Sequence, residues 1–333
     1  MQYREIGQSG MKASVVGLGA WAIGGWMWGG TEEKESIEAI RTAVESGINL
    51  IDTAPMYGFG LSEQIVGKAI KGIRDRVILA TKCGLVWDKQ QGEFHFLSDE
   101  KTIRRESGNI KVFKYLAPSS IRQEIELSLQ RLGVDYIDLY QTHWQDSTTP
   151  VEDTVNELMK LKKEGKIRAI GASNATVEHL EAYRKAGQLD SDQESYSMLD
   201  RRHEKDLLPY CAKNNVAFLA YSPLARGLLT GKVSPDRVFE DGDQRKDNPR
   251  YSRENRIKVL KMLDEFKPFI EKYSVTITQL VIAWTFHQKG CTHALVGARR
   301  PEQAVENAGA GRIVLNSKDL AAMDRIIARY GGV

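Results

Sequence analysis

The sequence has few of the features that mark disulfide-rich, metal-binding or membrane proteins. Its 333 residues include three cysteines, Cys83, Cys211 and Cys291, without a CxxC spacing. An odd, scattered set argues against a disulfide framework or a zinc site and favours a reducing compartment. No run of about 18 apolar residues occurs, and the start MQYREIGQSG is polar, unlike a signal peptide. We expect a cytoplasmic protein with no membrane contact and no metal.

A strong excess of one charge is lacking as well. The 47 Lys and Arg against 44 Asp and Glu give a formal net charge of +3, and the cations are scattered along the chain. No concentrated basic face is therefore predicted, which excludes nucleic acid as the expected partner and leaves small anions. With 41% hydrophobic residues the composition is that of a globular protein, and we expect a single domain over residues 1–333.

Short β-branched runs alternate with amphipathic helical patterns along the chain. Eight runs are typical of strands, at 14–20, 48–54, 76–82, 136–143, 167–173, 190–196, 216–222 and 293–298. Apolar residues at intervals of three and four predict helices that include 32–45, 62–70, 120–131, 151–163, 176–185 and 204–213. Eight strands that are mostly apolar on both faces, each followed by a helix, predict an α/β fold, the parallel (β/α)₈ or TIM barrel.

Several segments lie outside this repeat. Residues 3–14 predict an N-terminal β-hairpin that closes one end of the barrel. The connections 84–118 and 225–254 lack sustained periodicity and are predicted as long loops or lids on the C-terminal face, because each follows a strand. After the last strand, PEQAVENAGA and SKDLAAMDRIIARYG predict two additional helices.

A glycine pattern offers a rival fold. GLGAWA, at Gly17–Ala22, follows a strand and fits the G-x-G-x-x-[GA] fingerprint of a dinucleotide-binding Rossmann domain. Those glycines should open a helix, whereas the following AIGGWMWGG is too rich in Gly and Trp to begin one. The barrel remains the main prediction.

Polar residues end three successive predicted strands. Asp52, Lys82 and His143 occupy these ends, and Tyr57 lies on the loop after Asp52. In a parallel barrel the four would meet at one mouth. An ammonium beside a phenol favours the phenolate, so we expect Lys82 to lower the pKa of Tyr57, Asp52 to orient Lys82, and His143 to bind the same oxygen. Such a set would protonate a carbonyl oxygen while a nicotinamide delivers hydride to the carbon.

The chain resembles the aldo-keto reductase superfamily, most of all its bacterial branch related to potassium-channel β-subunits. Six ordered motifs carry the resemblance: LIDTAPMYGFGLSEQIVGKAI, ILATKCG, RLGVDYIDLYQTHW, KIRAIGASN, AYSPLARGLLTGK and VGARRPEQAVENAGA. It implies the (β/α)₈ fold and NADPH-dependent reduction of small carbonyl compounds, with Tyr57 as general acid. The channel-associated relatives leave open an NADPH-binding regulatory subunit with slow turnover, and the oligomeric state stays undetermined.

Further residues are predicted to hold the cofactor. Amide and hydroxyl groups of Ser173, Asn174 and Gln193 suit a carboxamide, and Tyr221 would stack on the nicotinamide. The flexible loop SPLARGLLTGK would clasp the pyrophosphate, and Arg299 or Arg300, at the start of a helix, would bind a 2′-phosphate. The complete predicted cofactor set is Gly19, Trp21, Asp52, Ser173, Asn174, Gln193, Tyr221, Ser222, Leu224, Arg226, Gly227, Lys232, Gly297, Arg299, Gln303 and Asn307.

Tryptophans collect at the predicted mouth. Five of the six follow a strand end, and only Trp284 lies in a predicted helix. We expect an aromatic, fairly wide substrate pocket that suits bulky or apolar carbonyls. Its predicted residues are Trp21, Trp26, Trp28, Tyr57, Trp87, His143 and Trp144.

Overall fold

The computed structural model describes residues 1–104 and 106–330 and contains a closed barrel of eight parallel strands. The strands of the whole described chain are β1 (Tyr3–Glu5), β2 (Lys12–Ser14), β3 (Val16–Gly19), β4 (Leu50–Asp52), β5 (Ile78–Cys83), β6 (Leu85–Val86), β7 (Glu93–Ser98), β8 (Ile103–Arg104), β9 (Ile110–Lys114), β10 (Ile137–Thr142), β11 (Ile167–Ser173), β12 (Ser191–Ser195), β13 (Ala217–Tyr221) and β14 (Cys291–Val296). The barrel follows the order β3-β4-β5-β10-β11-β12-β13-β14 and closes from β14 back to β3. The predicted fold class is confirmed.

Helices cover the outside of the barrel. They are α1 (Glu33–Glu45), α2 (Leu61–Ile70), α3 (Pro118–Leu132), α4 (Val151–Lys163), α5 (Val177–Ala186), α6 (Leu207–Asn214), α7 (Arg253–Asp264), α8 (Lys267–Tyr273), α9 (Ile277–His287), α10 (Pro301–Ala310) and α11 (Ser317–Tyr330). The six helices named from periodicity and both additional C-terminal helices are present, although Gly331, included in the last prediction, lies outside the described residues. Among the described helices, none is both long and apolar enough to cross a bilayer.

The N-terminal hairpin closes the bottom of the barrel, as predicted. Strands β1 and β2 pair antiparallel, with Tyr3 opposite Ser14. Ile6, in the turn, is fully buried and packs with Leu50, Leu139 and Leu219 from the barrel interior. Since this apolar layer fills the N-terminal end, a ligand site is confined to the C-terminal end.

The Rossmann alternative is wrong. Gly17 and Gly19 both lie on β3 within the closed barrel. A short 3₁₀ turn, Ala22–Gly24, follows them where the fingerprint requires an α-helix.

The prediction of a loop over 84–118 is partly wrong, because this segment forms a small antiparallel sheet in the order β6-β9-β7-β8. Its strands contain two to six residues, too few for a periodic signal to emerge. The sheet packs on the barrel mouth, where Trp26 donates a hydrogen bond from Nε1 to Ser98 Oγ over 3.1 Å. We call residues 84–117 the mouth sheet.

The segment 225–254 is irregular, as predicted, and crosses the same mouth. It begins with 3₁₀ turns over Ala225–Thr230 and ends in α7. The backbone N–H of Gln244 donates to Met27 O at 3.1 Å, while Met27 N–H donates to Lys101 O of the mouth sheet at 2.7 Å. The loop after β3, residues 20–32, thus joins the mouth sheet to the 225–254 segment.

Candidate active site

The predicted acid, amine and phenol meet at the end of the barrel. Asp52 ends β4 and Lys82 lies on β5, one strand away, and both are almost fully buried. Lys82 Nζ lies 2.6 Å from Asp52 Oδ1 and 3.2 Å from the hydroxyl of Tyr57. It also donates to the backbone carbonyl of Thr53 at 3.0 Å. A single ammonium therefore bridges the carboxylate and the phenol, as the strand ends predict.

His143 completes the group. It follows β10, whose residues pair with β5, and its ring centroid lies 5.7 Å from that of Tyr57 at an interplanar angle of 84°. The four residues expected at one mouth are thus together.

Two glutamine amides hold the second oxygen of Asp52, an arrangement that was not predicted. Gln193 Nε2 lies 2.8 Å and Gln141 Nε2 3.1 Å from Asp52 Oδ2, and Gln193 also donates to Gln141 Oε1 at 3.2 Å. Each oxygen of the buried carboxylate thus has a donor, as a buried charge requires. The predicted partner of Gln193 was a carboxamide, yet its amide N–H faces Asp52. Gln141 lies two residues before His143, so strand alternation was the available signal.

The expected lowering of the Tyr57 pKa is wrong in direction. Burial, together with the negative charge of Asp52, raises the pKa of Tyr57 well above its usual value. Desolvation of the phenolate thus outweighs the nearby ammonium, and Tyr57 is protonated at neutral pH. Burial also lowers the pKa of Lys82, against the pull of Asp52. Burial and the charge of Lys82 lower the pKa of His143 well below its usual value, which makes a neutral imidazole.

A close backbone contact fixes Tyr57. Gly24, in the loop after β3, packs so tightly on the Tyr57 loop that a Cβ added to it would lie 2.5 Å from the Tyr57 carbonyl oxygen. Gly58 has φ +70°, and a Cβ there would meet Gly24 O at 2.2 Å. Glycine at both positions lets the two loops touch. This contact brings Trp21 beside Tyr57, with ring centroids 6.2 Å apart.

A cavity of about 1150 Å³ opens above these residues. All sixteen residues predicted for the cofactor line it, from Gly19 on β3 to Asn307 on α10. Six of the seven residues predicted for the substrate pocket also line it: Trp21, Trp26, Trp28, Tyr57, His143 and Trp144. Trp87 was predicted to line the substrate pocket but is absent from the lining. Its ring packs edge-to-face on Phe59, with ring centroids 5.4 Å apart.

Several unpartnered polar atoms lie on the wall of this cavity. Trp21 Nε1, Trp28 Nε1 and both amide atoms of Gln244 are buried and have no hydrogen-bond partner within residues 1–104 and 106–330. Buried polar groups normally have partners. A polar ligand that fills the cavity would supply them, which fits a nucleotide cofactor and a carbonyl substrate.

The residues predicted to bind the carboxamide are linked to one another. Tyr221 donates from its hydroxyl to Asn174 Oδ1 at 2.9 Å, and Asn174 Nδ2 donates to the carbonyl of His143 at 2.9 Å. Asn174 adopts the left-handed region with φ 53°, and Ser173 Oγ donates to Gln193 O at 2.7 Å. This network fixes the face of Tyr221 against the base of the cavity.

The predicted phosphate loop has an unusual backbone. Ser222, Ala225 and Arg226 have φ values of 57°, 45° and 53°, and Gly227 has φ 94°. Non-glycine residues rarely adopt this region, and such strain concentrates at ligand sites. Arg226 is largely buried, and burial lowers the pKa of its guanidinium, which lies 5.4 Å from the ring centroid of Trp21.

The two arginines before α10 have different surroundings. Arg299 donates from its guanidinium to the carbonyls of Gly30, at 2.8 Å, and Trp28, at 3.3 Å. Arg300, the N-cap of α10, is largely exposed, and its Nε lies 3.7 Å from Glu35. Gln303 Oε1 accepts from Arg299 N–H at 2.8 Å. Backbone carbonyls thus engage Arg299, whereas the Arg300 side chain is largely exposed, and both residues line the cavity.

The long segments supply cavity residues that the sequence did not predict. The mouth sheet contributes Leu85, His95, Phe96 and Ile103, and the 225–254 segment contributes Arg237, Phe239, Gln244, Arg245 and Asn248. The alternation in EFHFLS was a signal for β7, but no pattern indicated which face would meet the cavity.

Comparisons with known proteins agree with this geometry. A model of the aldo/keto reductase family matches residues 15–328. The chain belongs to the aldo/keto reductase family. It is 44% identical over 324 residues to the NADH-specific methylglyoxal reductase of Escherichia coli strain K12, covering 96% of each chain. This aldo/keto reductase also resembles a solved glycerol dehydrogenase from Gluconobacter oxydans, with a TM-score of 0.86, 40% identity and coverage of 98% and 95%.

A second similar structure was solved with a bound nicotinamide cofactor. It is an aldo/keto reductase from Klebsiella pneumoniae in complex with NADP and acetate, with a TM-score of 0.71 and 27% identity, and the match covers 100% of this chain and 97% of that one. The present aldo/keto reductase is thus an oxidoreductase of a family that includes nicotinamide-binding members. Which nicotinamide this chain uses is a separate question, because the E. coli relative is named for NADH.

Proposed function

We propose that this aldo/keto reductase reduces small aldehydes and ketones to alcohols with NADPH, and that Tyr57 is the general acid. The observation that carries the proposal is the contact of Lys82 Nζ with both Asp52 and the Tyr57 hydroxyl beneath a cavity large enough for a dinucleotide and a small substrate. Bound NADPH would supply hydride to the carbonyl carbon.

The proton comes from the chain. Tyr57, protonated because burial raises its pKa, donates a hydrogen bond to the carbonyl oxygen and transfers its proton as negative charge develops there. The phenolate that forms lies beside Lys82, whose ammonium stabilises it and is oriented by Asp52. Neutral His143, with one donor nitrogen, binds the same carbonyl oxygen. Solvent then returns the proton to Tyr57.

The cofactor would extend along the cavity from β11 to α10. Ser173 and Asn174 would hold the carboxamide and Tyr221 the nicotinamide face, while the strained loop at Ser222–Gly227 would wrap the pyrophosphate. Gln193 would take part through its Oε1, since its amide N–H binds Asp52.

Arg300 is our candidate for the 2′-phosphate. Its guanidinium extends from the N-cap of α10, where the helix dipole also favours an anion, whereas Arg299 is engaged by the carbonyls of Trp28 and Gly30. Glu35, 3.7 Å from Arg300, argues against this choice because its carboxylate would repel a phosphate bound there. The NADP-bound neighbour supports NADPH, and the relative named for NADH supports the alternative.

The direct test is Tyr57→Phe, which removes the proton donor and keeps the ring. We expect kcat for reduction of a small aldehyde to fall by roughly 10²–10⁴, while the dissociation constant of NADPH changes less than about threefold. Tyr136→Phe, far from the cavity on the chain leading into β10, is the matched control. Retained turnover in Tyr57→Phe would refute the proposal. Tight NADPH binding with negligible wild-type turnover on every carbonyl tried would favour the regulatory alternative.

A further inference from the structure

One polar side chain of the mouth sheet has no role in the chemistry described so far. Four of the described residues of this sheet line the cavity, and three of them, Leu85, Phe96 and Ile103, are apolar. The fourth is His95, on β7, the middle of the mouth sheet. An imidazole in an apolar wall is a candidate for substrate recognition, because a few polar groups usually orient a ligand in such a pocket.

Two aromatic neighbours contact the His95 ring on the cavity wall. Its centroid lies 4.8 Å from that of Trp144 and 4.9 Å from that of Phe96. Trp144 directly follows His143, so the contact with Trp144 places His95 close to His143 along the cavity wall. The His95 ring therefore packs against Trp144 and Phe96 on the wall of the cavity that Tyr57 and His143 also line.

The nitrogens of His95 are available to a ligand. Within the described part of the chain they form no hydrogen bond that meets ordinary geometric limits, although the side chain is about half-buried. Burial, with the charge of Lys114, lowers the pKa of His95 to about 4. The ring is thus neutral above about pH 5 and presents one donor and one acceptor, the complement of a hydroxyl group or a second carbonyl.

We infer that His95 is a specificity-determining residue that hydrogen-bonds a second oxygen of the substrate, so that the site prefers small carbonyl compounds carrying a hydroxyl or another carbonyl near the reacting one. This inference rests on the proposed function, which places the reacting carbonyl at Tyr57 and His143. The inference narrows the range of substrates predicted from the tryptophans, since aromatic walls alone would favour apolar carbonyl compounds.

The test compares two aldehydes of equal carbon number, glyceraldehyde and propanal, which differ in their hydroxyl groups. For His95→Phe we expect the ratio of kcat/KM for glyceraldehyde to that for propanal to fall about tenfold to a hundredfold, mainly through KM for glyceraldehyde. His95→Gln, which keeps a donor and an acceptor, should recover part of the ratio. Ile103→Val, the matched control on another cavity-lining residue of the mouth sheet, should shift both substrates alike.

Each outcome has a separate meaning. An unchanged ratio in His95→Phe, or an equal loss for both aldehydes, would overturn the inference and leave the proposed function intact. If the wild-type protein reduces neither aldehyde, the proposed function fails and the inference fails with it. Melting temperature and NADPH affinity, measured for each variant, separate a lost contact from a lost fold. If His95→Phe does not fold, an unchanged ratio in His95→Ala would overturn the inference equally.

Discussion

Replacing Lys82 with methionine tests whether one ammonium supports the chemistry of Tyr57. Methionine keeps most of the length and the apolar stem of lysine but removes the charge. In the wild type, Lys82 Nζ lies 3.2 Å from the Tyr57 hydroxyl, where negative charge appears as the proton leaves. The neutral ground state loses little from the substitution, whereas the transition state loses a favourable charge interaction.

The size of the effect follows from that distance. Two unit charges 3.2 Å apart interact by about 5 kcal/mol at an effective dielectric constant of about 20. Since each ~1.4 kcal/mol corresponds to a factor of ten in rate, full charge development would make kcat fall by roughly 10³–10⁴. Partial proton transfer in the transition state would reduce the loss in proportion, so at least about a hundredfold is expected.

The assay is steady-state oxidation of NADPH by an aldehyde, with the exposed Lys34→Met as control. The same substitution is made in a Tyr57→Phe background, where no phenolate forms. There Lys82→Met should cost less than about tenfold, because groups that act as one unit are not additive. A loss as large in Tyr57→Phe as in the wild type would refute the coupling, as would a folded Lys82→Met protein with full turnover.

Stability must be followed in the same variants. Lys82→Met leaves the buried Asp52 Oδ1 without its cation, and breaking a buried ion pair costs about 3–5 kcal/mol. Adding Asp52→Asn neutralises the carboxylate, so the double variant should regain much of the melting temperature. It should not regain turnover. Recovery of both would show that Lys82 acts only on the fold.

Three further predictions concern other parts of the molecule. In Gly24→Ala the new Cβ would lie 2.5 Å from the Tyr57 carbonyl oxygen. The substitution should lower the free energy of unfolding by about 1–3 kcal/mol and reduce kcat, with little change in NADPH affinity. An unchanged melting temperature and unchanged kinetics would contradict the idea that this close contact positions Tyr57. Burial lowers the pKa of His293 to about 4, so as the pH falls the imidazole is protonated in the unfolded chain before it is protonated in the folded protein. The free energy of unfolding should therefore decrease by about 3 kcal/mol between about pH 6.5 and pH 4. In urea titrations His293→Gln should make the free energy of unfolding less dependent on pH. Arg300→Leu should raise KM for NADPH about tenfold or more and spare NADH, whereas Glu35→Gln should lower KM for NADPH; equal effects on both cofactors would exclude a 2′-phosphate contact.

The proximity of the proposed catalytic residues was predictable because the barrel brings the ends of neighbouring strands together. Asp52, Lys82 and His143 are 30 and 61 residues apart in sequence, yet β4, β5 and β10 are neighbours that end at one mouth. The direction of the Tyr57 pKa shift could not be predicted from the sequence. The sequence identifies a phenol beside an ammonium, but the pKa of Tyr57 rises mainly because the folded structure buries its hydroxyl.

The walls of the cavity were harder to foresee. The mouth sheet consists of strands whose pairing is set by contacts with the barrel rim, among them the hydrogen bond from Trp26 to Ser98. Short strands carry little intrinsic preference, so tertiary packing decides which face is buried. This explains why His95 was not predicted and why Trp87, correctly placed past a strand end, packs against Phe59 and does not line the cavity.

The proposed acid–base group and the proposed substrate-binding walls therefore lie on different parts of the fold. The proposed acid–base group lies on barrel strands and a glycine-packed turn, where strand register fixes the positions of its residues. The walls come from the loop after β3, the mouth sheet and the 225–254 segment, which meet through the two hydrogen bonds of Met27. Because neither hydrogen bond involves a barrel strand, changes in these segments should alter which carbonyl binds while Tyr57 continues to deliver the proton.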